Sequence, residues 1–362
     1  MVDFRRSLPP LARGVQEELA RTLERLAGEM DLNALMRESR ARINEREQRA
    51  AVRFLSPRLG ADVSAERIIA SNGTQSALVL LLRELVGSSG VLLAETLTYG
   101  SLRPLAEKLG VRVEGVAIDE EGLLPDAFER ACRELHPKAL YCNPTVHNPT
   151  TAIMSLPRRW TLIEIARKHG VAIIEDEALG RLYPDLPQPL ATLAPEICWY
   201  LMSATKCLSH GLRVAYTVAP SAQSANLLLE SAEQLSFWVP TPVSLALMTD
   251  WLERSAADRV TGQIAEECKR RQKLASQVFA DFQLRAPDSA MHVWLSLPNG
   301  LRADEFAERA QKSGVLLRPA ARFAVDDRPT PDCVRLSLST PANLAEVDEG
   351  LHTLKDLLIR GG

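Results

Sequence analysis

The chain has 362 residues, 46% of them hydrophobic and 25% charged, which suits a globular protein large enough for two lobes. A formal net charge of −3 supplies no general attraction to nucleic acid or to an anionic membrane surface, so neither is expected as a partner. No apolar run approaches the ~18 residues of a membrane span, and the N-terminus MVDFRRSLPP lacks a signal core, so a cytoplasmic location is expected.

Residues 1–60 read mostly as amphipathic helix (VQEELARTLERLA, then NEREQRAAVRFL), expected to pack on the small domain or on a second subunit. From there short apolar runs alternate with helical stretches, the pattern of a largely parallel sheet covered by helices. Strands are expected at 67–71, 91–95, 112–118, 139–143, 171–176, 199–203 and 213–219. Helices at about 75–86, 100–109, 125–135, 157–169 and 221–236 fall between them. These runs define a large domain over 61–242. Residues 243–362 then read as a long helix, about 243–280, and a small α+β domain holding HVWLSLP, VLLRPAAR and CVRLSLS.

Lysine is scarce, at eight residues, and Lys206 has an unusual setting: WYLMSATKCLSHGLRVAY runs from a buried strand into small polar residues, the lysine and a glycine-containing turn. A loop at a strand end can desolvate an amine enough to make it a nucleophile; a solvated loop lysine is the plain alternative. Four further segments supply what a phosphorylated pyridine aldehyde requires. In SNGTQSAL, Gly73 and Thr74 stand at a strand-to-helix turn whose backbone N–H groups can hold a phosphate, although SNGT is also a good ordinary N-cap. Tyr99 in ETLTYG can stack on a ring or simply pack.

In YCNPTVHNPTT, Asn148 can donate its amide to a phenolic oxygen or serve turn chemistry. In VAIIEDEALG, Asp176 ends an apolar strand at the carboxyl edge of the sheet. There a carboxylate can keep a pyridine nitrogen protonated, while Glu175 and Glu177 flank it. The six cysteines and six histidines show no metal spacing, no disulfide framework is implied, and no metal is expected.

The ordered set GTQ, TYG, NPT, EDE, S-x-x-K and GLR, over roughly residues 60–340, resembles the fold-type I pyridoxal 5′-phosphate (PLP) enzymes, aminotransferase classes I and II. The likeness is greatest to the aminotransferase-like domains fused to winged-helix regulators and to their stand-alone relatives. The resemblance implies an α/β fold, a mostly parallel seven-stranded sheet plus a smaller α+β domain, and a homodimer. It implies PLP held by Lys206 as a Schiff base, a phosphate cup of Gly73, Thr74, Gln75, Ser203 and Arg213, and Tyr99 against the ring. Asn148 would meet the phenolic oxygen, Asp176 the ring nitrogen, and Arg335 the substrate α-carboxylate. The implied reaction moves an amino group from an α-amino acid or related amine to a 2-oxo acid.

The sequence departs from that pattern in three places. Leu179 replaces a tyrosine that relatives place three residues after the aspartate, unless Tyr183 reaches in. His210 replaces a proline in the lysine loop, adding a titratable group near the phosphate. The segment LMRESRARINEREQ lacks the usual tyrosine and glycine turn, so Glu38, Arg40 and Arg42 are candidates for substrate choice or members of a solvated helix. Leu179 keeps open lyase, decarboxylase or oxidase chemistry on the same cofactor. A non-catalytic PLP-binding sensor is a third reading, weakened because residues 1–60 show no basic winged-helix pattern.

Overall fold

The computed structural model describes residues 1–362 except 11–13, 39, 62, 236–238, 299 and 361–362. Strand β1 (Val2–Asp3) and helices α1 (Val15–Glu29) and α2 (Glu45–Leu59) precede the main sheet. Its strands are β2 (Ile68–Ser71), β3 (Val91–Glu95), β4 (Arg112–Val116), β5 (Ala139–Cys142), β6 (Ala172–Asp176), β7 (Cys198–Ser203) and β8 (Ala215–Val218). They lie in the order β2-β8-β7-β6-β5-β3-β4, and only β8 runs against the rest. Helices α3 (Thr74–Leu81), α4 (Leu102–Lys108), α5 (Pro125–Leu135) and α6 (Leu156–His169) alternate with the strands; a one-turn helix, α7 (Ala204–Cys207), follows β7, and α8 (Ala222–Leu235) follows β8.

Strands covered on both faces must be apolar throughout, and β5 (ALYC) and β7 (CWYLMS) are wholly buried. Alternation sorts their side chains. Leu140, Ile173 and Met202 pack with Phe128 and Leu162 on one face, while Tyr141, Ile174 and Leu201 pack with Leu78, Leu102 and Leu228 on the other.

The stretch expected as one long helix is two, α9 (Pro242–Glu253) and α10 (Ala256–Val278). They are separated at Ser255, whose left-handed backbone (φ 55°) breaks the helical path. The small lobe follows, with β9 (Leu284–Arg285), β10 (His292–Ser296), α11 (Ala303–Lys312), β11 (Val315–Leu316), β12 (Arg318–Pro319), β13 (Cys333–Ser337) and α12 (Leu344–Ile359). Its antiparallel sheet has the order β9-β10-β13-β12.

Packing of residues 1–60 on the small lobe is corrected for the helices. Strand β1 pairs with β11, but α1 docks on α9, where Arg25 pairs with Asp250 at 2.5 Å and Trp251 donates to Thr22. Helix α2, opened by a reciprocal Asn44–Glu47 capping box, sets Phe54 against Tyr216 on the main sheet. At its end Arg58 is buried against Glu177, Nη2 to Oε1 2.7 Å, and Tyr200 also donates to that carboxylate. Removing one partner strands a desolvated charge. Arg58→Ala should therefore cost about 3–5 kcal/mol in denaturant unfolding; a loss below about 1 kcal/mol would mean the pair is solvated in solution.

Candidate functional site

The carboxyl ends of β2, β3, β5, β6 and β7 meet beneath the small lobe at a cavity of about 410 Å³. This is the edge where open α/β sheets bind ligands.

Leaving β2, the chain turns at Gly73 (φ +82°) into α3, whose first turn has no side-chain cap. A Cβ at Gly73 would lie 3.2 Å from the Arg213 guanidinium, so only glycine lets that cation close over the uncapped N–H groups. Arg213 donates to the Asn72 carbonyl at 3.2 Å from its own left-handed position (φ 53°) just before β8. Thr74, Gln75 and Tyr99 line the same wall, with Gln75 Nε2 donating to the Tyr99 hydroxyl at 2.9 Å.

Of the three acids ending β6, alternation turns only Asp176 into the cavity. Glu175 accepts from the Leu190 and Ala191 amides on the opposite face, and Glu177 holds Arg58; both are buried structural anchors, not solvated flanks. Asp176 Oδ2 accepts from the Tyr141 hydroxyl at 2.7 Å, while Oδ1 is buried without a partner. Burial raises this carboxyl to about 6, against the lowering effects of the Tyr141 bond and the Lys206 charge.

Lys206 projects from α7. Burial, with Arg335 nearby, lowers its ammonium to about 8, partly opposed by Asp176. Its Nζ donates to the Ser7 carbonyl at 2.5 Å. Since only the neutral amine attacks a carbonyl, PLP uptake by apo-protein should accelerate about tenfold per pH unit up to about pH 8 and then level off. Stopped-flow absorbance checks this; a rate still climbing at pH 10 would mean an ordinary solvated lysine.

Arg335, on β13, donates from Nη1 to Asn148 Oδ1 (2.7 Å) and from Nη2 to the Arg5 carbonyl (2.6 Å), and its guanidinium stacks on Phe323. Its Nε has no partner, and burial beside the Arg318 charge lowers its pKa to about 9. Because Arg335 can only donate, it fixes the Asn148 amide with its oxygen toward β13 and its N–H₂ free for another acceptor.

Of the residues the sequence singles out, Gly73, Thr74, Gln75, Tyr99, Asn148, Asp176, Lys206, Arg213 and Arg335 line one cavity, as do Leu179 and His210. Ser203 does not: its hydroxyl caps α7 through the Thr205 amide, and Thr205 takes the place on the wall. Tyr183 is buried away from the cavity and does not replace the hydroxyl absent at Leu179. Arg40 is held by Glu38 and Glu47, and Arg42 donates to Asn226, so that segment lies outside the cavity.

Sequence reasoning missed Arg5–Leu8, which cover the cavity because β1 fastens the N-terminus to β11. It also missed His292, Arg318 and Phe323: Arg318 stands opposite Arg335 across the small sheet, His292 is on the strand paired to β13 on its other side, and Phe323 lies under the Arg335 guanidinium. Burial holds His292 neutral, with its pKa lowered to about 3.

These residues fit PLP on the structure's own terms. An unpartnered carboxylate oxygen, an uncapped helix start beneath Arg213 and a buried amine lie around one cavity. Among the described residues no group of His, Cys, Asp or Glu is arranged to hold a metal, and no helix is long and apolar enough to cross a membrane.

The family profile described as aminotransferase class I and II matches residues 20–351. The chain is 28% identical over 342 residues to an uncharacterized HTH-type transcriptional regulator, YdeF, of Bacillus subtilis, covering 94% of this chain and 73% of the regulator. It is also 28% identical over 277 residues to the 2-aminoadipate transaminase of Thermus thermophilus, covering 72% of this chain and 68% of that enzyme. Among solved structures, the α-aminoadipate aminotransferase LysN of Thermus thermophilus, complexed with N-(5′-phosphopyridoxyl)-L-leucine, superposes with a TM-score of 0.88 at 24% identity. That match covers 99% of this chain and 92% of the other and speaks to the fold alone. With the profile spanning most of its length, the chain belongs to the aminotransferase class I and II family, and is a PLP-dependent aminotransferase of fold type I.

Proposed function

We propose that Lys206 is the residue that holds PLP covalently and that the enzyme moves the amino group of an α-amino acid or related amine to a 2-oxo acid. The observation carrying this reading is the juxtaposition, in one cavity, of a buried amine with a lowered pKa, an unpartnered Asp176 oxygen and an Arg335 guanidinium with no carboxylate.

Bound there, PLP supplies an aldehyde carbon for amine exchange and a protonated ring that withdraws electrons from the substrate Cα. Gly73, Thr74 and Gln75 at the start of α3, with Arg213, would hold the phosphate, and Thr205 offers the hydroxyl expected of Ser203. Asp176 Oδ1 would accept the ring N–H, Tyr99 would lie against the ring, and the Asn148 amide would meet the phenolic oxygen. Arg335 would orient the α-carboxylate by a bidentate fork, exchanging its bond to the Arg5 carbonyl for one to the substrate. Lys206, released from the cofactor, would then move the proton at Cα.

The test is to add amino acids singly to the holoenzyme, following cofactor absorbance and 2-oxo acid product. Conversion of cofactor with stoichiometric 2-oxo acid supports transfer; a spectral shift without product supports a sensor. Lyase, decarboxylase or oxidase chemistry is favoured by Leu179, which lines the cavity without a donor. Ammonia release, carbon dioxide or oxygen uptake would mark it.

A homodimer is proposed as the working state, supported by apolar side chains left exposed at Leu32, Met36, Leu227 and Val243. Sedimentation at micromolar protein tests it. Six buried free thiols fit a reducing compartment such as the cytoplasm.

A further inference from the structure

The chain between α7 and β8 is fastened at Ala204, whose amide donates to the Val214 carbonyl at 2.9 Å and whose carbonyl accepts from the Leu208 and Ser209 amides at 2.9 and 3.2 Å. Ser209 then opens a 3₁₀ turn, His210–Leu212, its hydroxyl accepting from the Gly211 amide at 3.2 Å. This loop sets His210 on the cavity wall that also holds Thr205, Lys206, Arg213, Gly73 and Thr74. Among the described residues the His210 ring makes no hydrogen bond or ion pair, and its Nδ1 is buried without a partner. A buried ring nitrogen left unpaired is costly, which calls for a partner brought by a ligand.

Charge decides the kind of ligand. The charged groups facing the ring are all cations: Lys206 from α7, Arg213 from the end of its own turn and Arg6 from the N-terminal segment. Asp176, the one carboxylate on the wall among the described residues, faces Lys206 and Tyr141. Burial, reinforced by those three cations, lowers the His210 pKa, so the ring is mostly neutral at about pH 7. A dianion placed among the cations reverses that field and favours the imidazolium, whose N–H then donates a charge-assisted bond.

We propose that His210 is a phosphate ligand, taking up a proton as the 5′-phosphate of the cofactor enters, so that affinity for phosphorylated pyridines falls as pH rises through neutrality. The proton comes from solvent and stays on the imidazole; no bond to phosphorus is made or broken. The assignment rests on the phosphate placement proposed for Gly73, Thr74, Gln75 and Arg213, and adds a titrating member where the pattern this chain resembles carries proline. Since the complex has the raised pKa, the His210 contribution is full in acid and is lost as pH rises through that value.

The test uses the full chain freed of cofactor and pyridoxine 5′-phosphate, which has no aldehyde and cannot attach to Lys206, with pyridoxine as the control lacking phosphate. By calorimetry at about pH 6.5, wild type should bind the phosphate ester about 10–100-fold tighter than His210→Ala, and the two should converge by about pH 9. His210→Arg, charged throughout, should match wild type at the lower pH and exceed it at the higher. Pyridoxine should bind all three alike. On the PLP-loaded protein, the phosphorus resonance should follow one more titration in wild type than in His210→Arg. Equal affinity of wild type and His210→Ala, a difference that does not change with pH, or an equal loss for pyridoxine overturns the proposal. So does His210→Arg with no gain at the higher pH, an outcome that needs no alanine variant to fold. If wild type does not prefer the ester to pyridoxine, the phosphate placement falls as well; if the ester is preferred whatever stands at 210, His210 alone falls.

Discussion

Lys206→Ala is expected to lower amino-group transfer by about 10⁴-fold, the upper end for a positioned proton-transfer group. Among the described residues Lys206 is the single amine on the cavity wall, and burial, which lowers its ammonium to about 8, leaves about a tenth of it neutral at pH 7, where a solvated lysine would be almost wholly protonated. The phosphate contacts proposed for Gly73, Thr74 and Arg213 would remain, so the variant should still bind PLP without the covalent link. Its stability should hold, because the substitution removes a desolvated ammonium whose hydrogen-bond acceptor is one backbone carbonyl, that of Ser7. Single-turnover absorbance with a saturating donor measures the effect, and activity within tenfold of wild type would place the chemistry on another group.

The second large effect belongs to Asp176. Its Oδ1 is buried without a partner, and Tyr141 and the Asn143 amide fix the strand end behind it. A carboxyl held at about 6 by burial is a group waiting for a positive partner, since a ring N–H⁺ would restore its ionised form. Asp176→Ala would remove the charge proposed to keep the ring protonated and should cost about 10²–10³-fold in turnover, the range for one preorganised electrostatic contact. PLP should remain attached to Lys206 in this variant. Loss of attachment along with turnover would instead assign Asp176 to holding the cofactor.

All seven strands of the main sheet were legible in the sequence: six are short, mostly apolar and largely buried runs closed by turn residues, and the edge strand β4 (RVEGV), part-exposed, alternates polar and apolar residues. Legibility of the site followed from that, since strand ends place Gly73, Asp176 and Lys206 on one edge without any side-chain detail. The remainder depends on partners far apart in the chain. Arg5–Leu8 carry no local pattern that announces a cavity wall; they reach it through the pairing of Val2 and Asp3 with Val315 and Leu316. Glu177 looks like a surface acid until Arg58, more than a hundred residues away, is seen against it. Ser203 and Thr205 share one short polar run, and only the turn of α7 decides which hydroxyl caps the helix and which faces the cavity. Glu38, Arg40 and Arg42 read as candidates for substrate choice, yet the ion pairs of Arg40 and the bond from Arg42 to Asn226 hold them outside the cavity.

Attachment of PLP at Lys206 can be trapped chemically. Borohydride reduction of the PLP-loaded protein turns a reversible amine–aldehyde linkage into a permanent one, and peptide mass mapping then locates it. A phosphopyridoxyl adduct is expected on the peptide containing Ser203–Cys207, at Lys206, and none after prior incubation with a reactive amino donor. An adduct on a different lysine, or none on protein that binds PLP, would contradict it.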